Sequence, residues 1–92
     1  MAFATSNVRK EVFGSMNALC GDCTSNVGDA DGTINVGGAR IYLAHFYDGN
    51  DTTPTTQPLP IKIGTPSASG VTTVTVNCSG GISAGRFCII YR

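Results

Sequence analysis

The residues with the widest chemical range in this 92-residue chain are four cysteines and a single histidine. Cys20-Gly21-Asp22-Cys23 has the C-x-x-C spacing shared by zinc knuckles and thiol–disulfide redox motifs. Redox use needs that spacing beside a βαβ unit, and no helical crossover pattern surrounds it. Zinc needs a second pair of ligands. Cys78 and Cys88 are separated by nine residues, so a four-cysteine site would have to join one knuckle to two distant thiols. A small zinc-binding module built on Cys20 and Cys23 is therefore one reading. The favoured reading is free buried thiols, or disulfides within or between subunits. Four cysteines permit three full pairings, and all stay open at this level.

The other polar residues offer less. His45 sits in an apolar strand pattern, where a core or interface role outweighs a ligand role, and no second histidine completes a metal triad. Asp29-Ala30-Asp31-Gly32 resembles the start of a calcium loop but lacks the acidic residue that closes one, so it reads as a turn. Gly37-Gly38 and Gly80-Gly81 lack the lysine and following helix of a phosphate loop. Glu11 is the only glutamate, and Asp22, Asp29, Asp31, Asp48 and Asp51 all fall in turn-like sequence. Tyr42, Phe46, Tyr47, Phe87 and Tyr91 fall on strand patterns, where packing explains an aromatic. The expectation is a protein with no catalytic residues, no cofactor and no metal site, hence not an enzyme.

The elements that must position these residues are short strands. Thr5 or Ser6 could cap a two-turn helix over Asn7 to Phe13 with Gly14 as its stop, and an extended arm is the equal alternative. Ser15 to Thr24 reads as a strand broken or bent at Gly21, and Val27 to Gly32 as a turn. Thr33 to Val36 is a short strand, and Gly37-Gly38 makes a bend. Ala39 to Tyr47 is the strongest strand; both of its faces are largely apolar, which predicts a place in mid-sheet. Asp48 to Pro60 is a polar loop with three prolines, of a length that often carries function. Ile61 to Ile63 is a short strand near an edge, because Pro58 and Pro60 cannot donate to a ladder. Thr65 to Gly70 is a further turn.

The C-terminal segment reads as a hairpin. Gly70 to Cys78 and Arg86 to Arg92 form its arms, and SGGISAG forms its loop. Pairing Cys78 with Cys88 sets Val76 opposite Ile90 on one face, with Asn77 opposite Ile89 and Thr75 opposite Tyr91 on the other. Opposed Cβ atoms lie about 4.5–5.5 Å apart, slightly wide for a disulfide but feasible. Such a bond would contribute roughly 2–3 kcal/mol. The pattern as a whole predicts an all-β fold: a small sandwich or partly open barrel of five to six short strands. Residues 1–14 form its N-terminal arm or short helix, and residues 15–92 a single β domain.

Composition narrows the partners. The formal net charge is zero and 13% of residues are charged. Basic residues are scattered, with no stripe for duplex nucleic acid and no basic interleaving for a single strand. The N-terminus has no apolar signal region and no stretch is long enough to span a bilayer, so synthesis in the cytosol is expected. Two glycosylation sequons, at Asn50 and Asn77, carry little weight without a signal peptide. A chain of this size buries roughly 60–65% of its unfolded surface, which leaves a modest margin that oligomerisation or docking would widen.

The stretch Ala2-Phe3-Ala4-Thr5-Ser6-Asn7-Val8-Arg9-Lys10-Glu11-Val12-Phe13-Gly14 resembles the opening of small tailed-bacteriophage head proteins, with their "AFAT…VR…VFG" pattern. Beyond residues 2–14 the likeness extends only to strand order and length. It implies a decoration (cement) protein bound in many copies to the outside of an icosahedral shell, synthesised in the host cytoplasm and resident on the virion. The implied partners are the major capsid protein and further copies of the chain, as a trimer or, second, a dimer. Ala2, Phe3, Val8, Arg9, Val12 and Phe13 are the implied contact residues. Two rivals stand beside it: a tail-associated or receptor-binding module acting through the Asp48–Pro60 loop, and the zinc module.

Overall fold

Period-two burial runs strictly through three segments of the chain and assigns them to layers. In the computed structural model, which describes residues 3–37, 40–54 and 57–92, seven strands form. They are β1 (Ala4–Phe13), β2 (Met16–Val27), β3 (Gly32–Val36), β4 (Ile41–Asp48), β5 (Ile61–Ile63), β6 (Thr72–Val76) and β7 (Gly80–Tyr91). Gly32, Ile34 and Val36 alternate inward along β3, Thr72, Val74 and Val76 along β6, and Phe87, Ile89 and Tyr91 along β7. The fold is all-β, with no helix among the described residues.

The strands make two antiparallel sheets, ordered β1-β2-β7-β4 and β3-β6-β5, and neither closes into a barrel. One hydrophobic cluster draws on both. Ile34, Val36, Val74 and Val76 come from the three-stranded sheet; Cys23, Phe46, Phe87, Ile89 and Tyr91 come from the four-stranded one. At its centre the rings of Phe46 and Phe87, on neighbouring strands, stack with centroids 5.4 Å apart.

Four expectations are corrected. Of the two equal readings of the N-terminal segment the helix is the one that fails, since residues Ala4–Phe13 are extended as a strand. Gly14 (φ 61°) is the first residue of a two-residue hairpin turn that brings Phe13 opposite Met16. The glycine that reads as a helix stop serves a hairpin instead, and a two-turn helix without partners would not recover its nucleation cost. Nor is β2 broken at Gly21. There the missing side chain makes room, because a Cβ would lie 3.1 Å from the Phe87 ring and from the Ser6 carbonyl.

The C-terminal hairpin does not form. β6 pairs with β3 and β5, whereas β7 pairs with β2 and β4, so the chain turns a corner between sheets. Gly81 (φ 77°) donates to the Cys78 carbonyl at 3.0 Å, and the Asn77 side chain accepts from the Ser79 amide at 2.9 Å. These local bonds complete the corner, and the segment expected as a loop becomes the first half of a 12-residue strand.

Finally, β4 lies at the end of its sheet rather than in the middle. Phe46 is buried and Ala44 packs on the core, but Tyr42 and Leu43 are exposed. Tyr42 is the extra residue of a bulge, since Ile41 pairs with Tyr91 and Leu43 with Ile90. Ala39, Gly38, Thr55 and Thr56 lie outside the described residues.

A second bulge is held by a carboxylate. Between the pairs Cys23–Gly85 and Ser25–Ile82, β7 carries one residue more than β2. The Asp48 side chain accepts from the amides of Ser83 (3.3 Å), Ala84 (3.2 Å) and Asn50 (3.0 Å). Beside it, a Cβ on Gly85 would fall 2.7 Å from the Cys23 carbonyl oxygen and from its Sγ. Gly85→Ala is therefore expected to cost about 1–3 kcal/mol by overpacking. Gly80→Ala, with nothing within 4 Å, should change stability by less than about 0.5 kcal/mol. Urea denaturation of both variants checks the contrast.

Candidate binding groove

On the face of the four-stranded sheet turned away from the core, the ladder registers set three rows across the strands. Glu11, Ala18, Ile90 and Leu43 form the first, and Arg9, Cys20, Cys88 and His45 the second. Ser6, Asp22, Arg86 and Tyr47 form the third. An open groove of about 730 Å³ lies over the second and third rows.

The centre of the second row is a disulfide. Cys20 and Cys88 are directly opposed on β2 and β7, with Cα atoms 4.2 Å apart, and they are joined. Of the pairings left open by the sequence, this bond uses Cys88 with Cys20 and leaves Cys78 unbonded to it. Cys23 and Cys78 are free thiols buried in the core cluster. The same parity splits the C-x-x-C pair between the two faces of the sheet. Three residues apart on a strand, Cys20 and Cys23 point to opposite faces. No group of three or more His, Cys, Asp or Glu gathers as a metal site among the described residues.

The groove has a wall, a floor and an ion pair. At one end Asn7 and Val8 stand opposite Gly21, forming a bulge of two residues against one. Asn7 adopts φ 52°, a left-handed conformation that asparagine tolerates, and its Nδ2 donates to Asp22 Oδ2 at 2.9 Å. Arg86 Nε approaches Asp22 Oδ1 at 3.8 Å. At the other end the rings of His45 and Tyr47 stack, with centroids 5.6 Å apart and planes 30° from parallel. Sequence reading placed His45 in a core or interface; it is an exposed side chain lining this groove. The cue was available in the apolar outward row of β4, but only the register of β7 tells which residues share it.

The remaining candidates are scattered. Phe3 is half-buried, packs on the core and lies over Gly32, which places it against its own chain. Val8 and Val12 are exposed at 45% and 70%. Arg9 is exposed in the groove, Phe13 pairs with Met16 through its backbone, and Ala2 lies outside the described residues. The loop after β4 is tied back along that strand. Gln57 accepts from the Asp48 amide at 3.1 Å, Leu59 donates to Phe46 at 2.9 Å, and Gln57 donates to the Asp51 carbonyl at 3.0 Å through its side chain. These bonds lay its two ends along the β4 edge, while most of its described residues stay exposed.

Two predictions come from the cysteines. The Cys20–Cys88 bond links positions 68 residues apart. Its removal in a Cys20→Ala/Cys88→Ala double variant should lower unfolding free energy by about 2–4 kcal/mol, measured by urea denaturation. Burial pushes the Cys23 thiol from 9.0 up to about 11, with Cys78, Asp22 and Asp48 adding repulsion in that order. The unfolded chain then releases this proton before the folded chain does. Stability from Cys23 is full below pH 9.0 and falls as pH rises toward about 11. Denaturation midpoints followed across that window should drop in the parent protein and drop less in Cys23→Ala.

Compared with protein-family models, with curated proteins and with solved structures, the chain matches none.

Proposed function

We propose that this chain is a virion structural protein: a decoration protein that binds the outside of an icosahedral shell and stabilises contacts between capsomers. Its action is binding rather than catalysis. In this reading the two sheets are the layers of a small β-sandwich. The chain works as a homo-oligomer, a trimer first and a dimer second, with the major capsid protein as its partner. It is synthesised in the host cytoplasm and ends on the capsid surface.

The observation that carries the proposal is β1. It is a ten-residue edge strand whose described side chains are all exposed, and it pairs with β2 alone. A free strand edge is a template for main-chain pairing with another chain. Val8 and Val12 add apolar contact area beside it. This strand also contains most of the segment that resembles phage head proteins. The tail-associated alternative depended on a free Asp48–Pro60 loop, and the hydrogen bonds from that loop to β4 weigh against it.

Val8→Asp and Val12→Asp change exposed side chains, so thermal unfolding should stay near that of the parent. Occupancy on purified shells, read by quantitative gel densitometry, should fall about tenfold. Full occupancy in both variants would remove β1 as the contact. Absence of the parent protein from purified shells, or its presence only in tails, would overturn the function itself.

A further inference from the structure

We propose that the groove over the Cys20–Cys88 disulfide is a binding site for an acidic carbohydrate, a saccharide bearing a carboxylate. This inference does not depend on the decoration reading; it rests on what the groove's rows place together.

The stacked rings of His45 and Tyr47 line the groove and give it aromatic surface, against which the C–H face of a pyranose can pack. The neighbouring disulfide carries no hydrogen-bonding group that a sugar would have to desolvate. Arg9 on β1 and Arg86 on β7 bring two guanidinium groups to the groove, flanking the Asp22 strand from either side. Arg86 meets Asp22 through Nε yet stays 69% exposed, so most of its five donors remain open to a ligand carboxylate. Asp22 is held from two sides, by Asn7 Nδ2 and by Arg86, and its carboxylate is an acceptor for sugar hydroxyls. Fixed polar groups beside a stacking surface are the composition of a small-ligand site.

Charge selects the acidic sugar over a neutral one. Arg9 and Arg86 against Asp22 leave the groove with a surplus of one positive charge, in a chain whose formal net charge is zero. The same inventory argues for binding without turnover. Asp22 is the one carboxylate among the residues lining the groove, and glycoside hydrolysis generally uses a pair.

The test is titration of the isotope-labelled protein, followed by backbone amide NMR. The probes are an oligogalacturonate, a neutral maltooligosaccharide and inorganic phosphate. The acidic oligosaccharide should produce saturable shifts at Arg9, Cys20, Asp22, His45, Arg86 and Cys88. The neutral sugar and phosphate should each bind at least about tenfold more weakly. Arg9→Ala and Arg86→Ala, both exposed side chains, should each weaken the acidic sugar while leaving the rest of the spectrum in place. Tyr47→Leu should weaken it without restoring preference for phosphate. Absence of saturable shifts at millimolar oligogalacturonate would overturn the proposal. So would equal response to phosphate, which reduces the site to an anion patch, or equal response to the neutral sugar, which removes the role of the arginines.

Discussion

The pairing of β2 with β7 is the constraint on which everything else depends. These are the two inner strands of the larger sheet, each 12 residues long. β1 is held through β2 and β4 through β7, and the three-stranded sheet shares a core with the inward side chains of β7. The two faces of this ladder are fastened differently. On one, Cys20 is bonded to Cys88; on the other, Gly21 makes way for the Phe87 ring. A covalent link on one side and close packing on the other fix the register, and a slip of one residue would exchange the core and outer sets.

Three register shifts then aim individual side chains. The Asn7–Val8 bulge points Asn7 at Asp22, the bulge at Tyr42 turns that ring into solvent, and the Ser83–Ala84 bulge brings two amides to Asp48. Bulges beside a groove are a recurrent way of directing polar groups without changing sheet topology. The groove owes its mixed lining to this. A regular ladder would place alternate residues of β1 over β2, and the extra residue is what brings Asn7 to the Asp22 carboxylate.

The all-β class, the turn at Val27–Gly32, the strand over Thr33–Val36 and the edge strand Ile61–Ile63 were all legible from alternation and turn chemistry. What was not legible is which strands are neighbours. Local pattern made Gly70–Cys78 and Arg86–Arg92 look like two arms of one hairpin, because both alternate well and glycines lie between them. Their partners are distant in sequence, and pairing of that kind leaves no local trace. The hairpin reading also made Cys78–Cys88 the pairing that looked feasible. Cys20 opposes Cys88 only once β2 is known to flank β7. His45 is exposed and not in the core for the same reason: it lies on the sheet face turned away from the core, and only the pairing of β4 with β7 tells which face that is. The ties of the Asp48–Pro60 loop to β4 left no trace in composition because they run to main chain.

β1 is bound along one side and contributes little to the core beyond Phe3. Its attachment is therefore a zipper with a single row of teeth. Opening it from the Ala4 end requires Phe3 to leave Gly32 but keeps the Phe46–Phe87 stack and the disulfide intact, so fraying lies on a lower free-energy scale than global unfolding. Fraying first releases Ser6 from Asp22 and then Arg9 from Cys20, so it dismantles the groove before it disturbs the fold. The protein thus carries two tiers of order, a cross-linked inner ladder and a peripheral flap, and one wall of its groove belongs to the flap.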